Sequence, residues 1–401
     1  CCLCVLEQAF PHMQSAGIPG VAIPLLQGDC RDTSLDLDWV WETLHLTSTD
    51  RTARLDLDEL RRTVDTWFTP EALDEALGPA NSPTERIARE WLARSGKRWR
   101  PFLTTCTCTA LADNRRAPLP AAVRQIAVAV ECFHKASLVH DDIEDGDELR
   151  YGTKTLHAEH GVPVALNIGD LLLGEGYRLL ATVDAPADVQ AALVQIAAAG
   201  QRTLCIGQGA DLTWARDAGP LSSPQVLDIF RQKTAPAFEV ALRVGAAYCG
   251  ADRDVMDVLA RFSDALGIAY QIRDDLDDLQ PGVASSERTK PRPFLPLAVA
   301  RERISGPQRA SIDAVWGRTG ELSASLRDLI AECAADAHCQ ALLHAYEEAA
   351  LRELAQLASP GLRGLLRRVV SRICGIELEG WCRESATADA DRRPAGPGST
   401  G

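Results

Sequence analysis

Two acidic clusters, Asp141-Asp142-Ile143-Glu144-Asp145 and Asp274-Asp275-Leu276-Asp277-Asp278, each close an apolar run and share the spacing D-D-x-x-D. They lie 133 positions apart, 274 minus 141. On a helix, positions i and i+4 share a face, so Asp141 projects with Asp145 and Asp274 with Asp278. Carboxylates crowded on one face repel each other and attract hard divalent cations. Mg2+ takes oxygen ligands, keeps several waters and is commonly completed by substrate phosphates. Two such patches facing each other would hold a metal-diphosphate between them. Either cluster alone reads as well as a solvated helix face.

The surrounding bases favour the metal reading. Gly96-Lys97-Arg98-Trp99-Arg100-Pro101 precedes the first cluster, Glu148-Leu149-Arg150-Tyr151-Gly152 and Gly169-Asp170 follow it, and Lys233-Thr234 stands between the two. This ordered set resembles the trans-isoprenyl diphosphate synthases, the polyprenyl synthetase family, over about residues 82 to 375. The resemblance implies an all-α, single-domain bundle of the isoprenoid synthase type with a central cavity. It also implies Mg2+, with three ions bridged by substrate, and a homodimer.

By residue, it implies Asp141, Asp145 and Asp274 as direct metal ligands, with Asp278 the next to reach a metal and Asp142 and Asp275 acting behind them. Arg150, Lys233, Thr234 and Gln271 would hold an allylic diphosphate. Lys97, Arg100 and His134 would grip a second diphosphate, that of isopentenyl diphosphate. The implied reaction is head-to-tail condensation. A terpene synthase on the same fold, which ionises and cyclises without condensing, is the first alternative, and a non-catalytic partner subunit the second. Three departures from the family pattern bear on these. Tyr151 stands where a second arginine is usual, Ser95-Gly96 replaces a doubled glycine, and the loop after Asp278 is shortened, with Arg288, Lys290 and Arg292 in place of its usual bases.

Elementary chemistry also bears on product length. Ser137 and Ala136, four and five residues before Asp141, are small and would leave a growing tail room along the helix wall. The product should therefore be C20 or longer, and Phe133, a further turn down, is the expected floor, which favours C20 to C25 over very long chains.

The elements that must position these residues are helical. Ser82-Pro83-Thr84-Glu85 is a capping box with Pro at the first helical position, so a helix starts there and runs toward Gly96. Apolar residues recur at helical period from Ala121 to Asp145, and further helices are expected over 164–182, 187–209, 223–248, 252–279 and, in pieces, 308–373. Strand signals are nearly absent. Residues 1–80 form an extension of unknown role with one or two short helices, 81–376 the synthase-like domain, and 377–401 a tail expected to be disordered.

The 401 residues are 46% hydrophobic, ordinary for a globular chain, and the formal charge of -14 argues against nucleic acid as a partner. No apolar run approaches the length of a membrane span. Among thirteen cysteines, Cys106, Cys132, Cys205 and Cys249 fall in apolar helical stretches and read as small buried hydrophobes, which suits a reducing cytoplasm. Cys1, Cys2 and Cys4 have no partner pair at zinc spacing. The chain opens on Cys1 rather than Met, so its true start and any targeting signal can lie upstream.

Overall fold

The structure, a computed structural model, describes residues 57–94, 96–112, 119–150, 152–217, 219–279, 292–316 and 323–374. Helices account for most of it: α1 (Leu57–Thr66), α2 (Pro70–Leu77), α3 (Pro83–Ala93), α4 (Trp99–Leu111), α5 (Ala121–Asp145), α6 (Leu156–His160), α7 (Val162–Ala181) and α8 (Ala187–Ala215). They continue as α9 (Ser223–Tyr248), α10 (Arg253–Asp277), α11 (Leu295–Arg303), α12 (Gly306–Asp313), α13 (Ala324–Glu332), α14 (Ala335–Ala355) and α15 (Pro360–Cys374). Two short strands, β1 (Leu149–Arg150) and β2 (Thr153–Lys154), pair antiparallel just after α5, with Arg150 opposite Thr153. The fold is all-α.

Local chemistry sets the helix ends. At the start of α3, Ser82 Oγ accepts from the Glu85 N–H at 3.2 Å, and Glu85 Oε2 accepts from the Ser82 N–H at 2.7 Å. This is the expected capping box, although α3 stops at Ala93, short of Gly96. Asp252 caps α10 by accepting from the Val255 N–H at 2.9 Å, a bond of a type worth about 1 kcal/mol. Helix α5 ends because Gly146 turns left-handed, at φ 74°, and returns its N–H to Asp142 O at 3.0 Å. The first acidic cluster therefore occupies the last turn of α5, and the second the last turn of α10.

Helix α5 is buried along most of its length and packs against α4 and α7, while α9 packs against α4, α8 and α10. Two glycines draw the site-bearing helices together. A Cβ on Gly207 of α8 would lie 2.6 Å from the backbone of Gln232 on α9, and one on Gly267 of α10 would lie 2.5 Å from Ala235 on α9. Only bare backbone fits at either crossing, and the crossings flank Lys233 and Thr234.

Helices α1 and α2 are the short helices expected within 1–80. Val64 of α1, Trp67 and Phe68 between the two helices, and Leu73 of α2 are buried in the same core as α4 and α5, so this packing unit begins ahead of the boundary drawn at residue 81. Residues 1–56, including Cys1, Cys2 and Cys4, and the tail from 377 lie outside the described residues. A second core forms beneath the second acidic cluster from Phe230, Ile268, Ile272, Leu295 and Trp316. Helix α11, which contributes Leu295, lies in a stretch for which the sequence carries no helix expectation. Cys106 and Cys132 are buried as expected, but Cys205 is exposed because it borders a cavity instead of a neighbouring helix.

Candidate active site

Asp141 lines a cavity of about 380 Å3 bordered by α4, α5, α8, α9 and α10. Its Oδ1 accepts from Gln208 Nε2 at 3.1 Å, and the same amide reaches Glu144 at 2.8 Å. Asp142, one residue on, points away from the cavity and is 1% exposed. Arg150, from the hairpin, donates to it at 2.5 Å and lies 3.5 Å from Asp141. Burial pushes the Asp142 carboxyl up to about 6 against the opposing pull of Arg150. Arg150, expected as a diphosphate ligand, is thus also the counter-charge of the first cluster.

The second cluster repeats the device. Asp275 is fully buried, accepts from the Leu295 N–H at 2.8 Å and pairs with Arg292 at 3.0 Å. Arg292 also binds Asp278. Burial raises Asp274 to about 6, with the charges of Arg292 and, more weakly, Lys97 opposing it. Arg292 is accordingly engaged with the second cluster, and a metal at Asp278 would have to displace it. Arg288, Lys290, Ser95 and Tyr151 lie outside the described residues.

Lys233, between the clusters in sequence, donates from Nζ to Asp211 at 2.9 Å. Burial works to lower its pKa, but the carboxylates of Asp211, Asp141 and Asp145 outweigh that, and the net shift is upward. Thr234 Oγ1 donates to Gln271 Oε1 at 3.2 Å, and both side chains line the cavity beside Lys233.

Arg100 and His134 meet on the cavity wall, with Arg100 Nη1 at 3.2 Å from His134 Nε2. Burial, and then the charge of Arg100, hold His134 well below the usual imidazole range, so the neutral ring accepts from the guanidinium. Lys97 is exposed and does not line the cavity; its carbonyl accepts from Arg61 at 3.5 Å. Between Lys97 and Arg100, Arg98 is buried in the left-handed conformation at φ 49°. It bonds Glu131 at 2.6 Å and the carbonyls of Leu92 and Arg94 at 2.8 Å each, and stacks 4.2 Å above Phe68 of the preceding segment. These bonds hold a backbone that costs about 1–3 kcal/mol, and so fix the bases on either side.

Two expectations for the tail channel are corrected. Ala136 is fully buried and does not line the cavity, because a step of five residues turns about 140° away from Asp141. Ser137, four residues back, does line it, and donates to His134 O at 2.8 Å. Phe133 forms part of the wall and not the floor, because the lining continues to Val130.

The residues that sequence reasoning misses are Gln208, Asp211 and Glu131. The first two lie three apart in Gly207-Gln208-Gly209-Ala210-Asp211, a polar face opening in an apolar helix. That break in the apolar pattern is the signal that could have found them.

The donor set fits Mg2+. Both clusters sit at helix C-termini with no basic residue in the last turn, where the helix dipole adds negative charge to carboxylates already crowded or buried. A divalent cation relieves that arrangement. Among the described residues no three His, Cys, Asp or Glu side chains are grouped so as to hold a metal ion by themselves. Mg2+ is commonly held by one or two carboxylates and completed by substrate phosphates. Asp141 and Asp145 of the first cluster, and Asp274 of the second, would hold such ions.

Known proteins share this architecture. A geranylgeranyl pyrophosphate synthase of Geoglobus acetivorans is 34% identical over 194 residues, covering 48% of this chain and 59% of that protein. Geranylgeranyl pyrophosphate synthase 7, chloroplastic, of Arabidopsis thaliana is 30% identical over 299 residues, 72% of this chain and 80% of that one. The chain thus spans less than two thirds of the length of the first relative and about four fifths of the second. A solved structure of a geranylgeranyl pyrophosphate synthetase from Geoglobus acetivorans overlays with a TM-score of 0.67 at 26% identity, over 79% of this chain and 100% of that one. Residues 82–290, a stretch that includes both acidic clusters, match the family described as polyprenyl synthetase. Together with the shared helical architecture, this match places the chain in the polyprenyl synthetase family.

Proposed function

We propose that the protein is a prenyltransferase that condenses isopentenyl diphosphate head-to-tail with an allylic diphosphate to give a polyprenyl diphosphate of C20 or longer. The observation that carries this reading is the Arg100–His134 pair on the same cavity as Asp141 and Lys233. An enzyme that only ionises one diphosphate has no use for a second anion cradle, and two relatives named as geranylgeranyl pyrophosphate synthases point the same way.

Mg2+, as three ions bridged by substrate, would supply charge neutralisation of the departing diphosphate. The chain's own residues do the rest. Lys233, Arg150, Thr234 and Gln271 hold the allylic diphosphate. Asp211 keeps Lys233 charged and aimed. Arg100, His134 and Lys97 hold isopentenyl diphosphate so that its double bond faces the allylic carbon. The apolar wall of the cavity, including Leu138, Leu212 and Val240, keeps water from the allylic cation. The machinery is assigned to residues 81–376, working as a homodimer in the cytoplasm; no helix among the described residues is long and apolar enough to cross a membrane.

The test is incubation with Mg2+, isopentenyl diphosphate and allylic primers of three lengths, with products read by mass spectrometry. Chain-extended diphosphates that disappear with a chelator support the reading. No extension of any primer refutes it.

A further inference from the structure

Helices α5 and α7 run past each other with two rings seated on two glycines. A Cβ on Gly169 would lie 2.3 Å from the His140 ring, and a Cβ on Gly176 would lie 2.6 and 2.8 Å from Cε1 and Cζ of Phe133. The glycines are seven residues apart on α7 and the rings seven apart on α5, so each ring fills the notch left by one missing side chain. The Phe133 ring also meets Tyr177 edge-on, with centroids 4.9 Å apart. With the ring seated there, the cavity passes it and reaches Val130, three residues or about 4.5 Å further along α5. Ala197 of α8 and Val240 of α9 line that deeper end.

We infer that Gly176 is a specificity-determining residue: it draws the Phe133 ring into the α5–α7 seam and so keeps the tail channel open below that ring. The inference rests on the prenyltransferase reading above. Any side chain at 176 must displace the far end of the ring, which turns freely about two torsions. Tyr177 closes one side of the ring, and the cavity is the open space beside it. A displaced ring therefore enters the channel and floors it about one turn higher.

The test compares full-length wild type with Gly176→Ala, titrated calorimetrically in Mg2+ with unreactive allylic thiolodiphosphates of ten and twenty carbons. The twenty-carbon ligand should weaken at least about tenfold relative to the ten-carbon one, since a buried five-carbon unit loses its place. Gly176→Ala combined with Phe133→Leu should restore it. Equal affinities in wild type and variant, or equal weakening of both ligands, would overturn the inference. If Gly176→Ala does not fold, Phe133→Leu alone decides. A seated ring is already out of the channel, so long-ligand affinity should hold within about threefold, whereas a gain of about tenfold would make Phe133 the floor and overturn the inference. Binding needs no turnover, so a failure of the condensation reading would appear separately, as absence of elongated product from wild type with isopentenyl diphosphate.

Discussion

The guanidinium of Arg150 lies 2.5 Å from the Asp142 carboxylate and 3.5 Å from that of Asp141. One cation therefore touches both a buried carboxylate and its cavity-facing neighbour. In the second cluster Arg292 likewise pairs with two carboxylates, the buried Asp275 and Asp278. In each case the second aspartate of the motif anchors an arginine instead of facing the cavity.

Arg150→Gln should expose what that anchor does. Asp142 would be left buried without its counter-charge, at a cost of about 1–3 kcal/mol, limited because the carboxyl can escape by taking a proton. Urea denaturation of the metal-free protein at neutral pH measures it. Combining the change with Asp142→Asn should recover most of the loss. A single variant as stable as the parent would show that the pair contributes nothing.

The acid limb of activity should fall near pH 6. Burial raises Asp142 and Asp274 from 3.8 to about 6, and metal binding requires the charged form of Asp274, the direct ligand of the two. Between about pH 4 and 6 the folded protein holds protons on these groups that the unfolded chain releases. Metal-free stability from these two residues should therefore increase as the pH drops through 6, while Mg2+ affinity decreases. Calorimetric Mg2+ titrations and urea midpoints from pH 5 to 8 check both directions. Mg2+ affinity unchanged down to pH 4.5 would contradict the assignment.

Asp211→Asn should impair allylic substrate use without touching the metal clusters. It removes the nearest carboxylate from Lys233, whose pKa burial then lowers unopposed by its hydrogen-bond partner. A charged hydrogen bond is worth about 1.5–3 kcal/mol, so kcat/KM for the allylic diphosphate should fall roughly tenfold to a hundredfold. The KM for isopentenyl diphosphate should stay near wild type. Steady-state kinetics with each substrate varied in turn separates the two.

Local spacing carries much of the fold. The capping box at Ser82, the helical period of Ala121–Asp145 and the two acidic motifs are all legible in the sequence, and helices stand at each of them. Angular detail and long-range pairing are not legible in the same way. Ala136 is small and near Asp141 in sequence, which suggests the tail wall, but helix geometry turns it away. The size of Phe133 suggests a floor, whereas Gly176, 43 residues later (176 minus 133), decides where its ring lies. Likewise the Arg98–Glu131 pair joins residues 33 apart in sequence, and no local pattern announces it. Helix α11 escapes a reading by period because most of its residues are buried, which leaves no amphipathic stripe.

Ser137→Phe should shorten the product. Ser137 lines the cavity about one turn below Asp141, and an aromatic ring there would close the channel above Val130. Mass spectrometry of products from a farnesyl primer reads the effect. An unchanged product length in a folded variant would show that the tail takes another route.

The most direct test of the central claim uses one allylic diphosphate, Mg2+ and the wild-type protein, with and without isopentenyl diphosphate, set beside Asp274→Ala. The account predicts chain-extended diphosphate only when isopentenyl diphosphate is present, and a loss of orders of magnitude in turnover in the variant with its helical circular dichroism retained. Hydrocarbon or alcohol from the allylic diphosphate alone, with no extension when isopentenyl diphosphate is added, would contradict it.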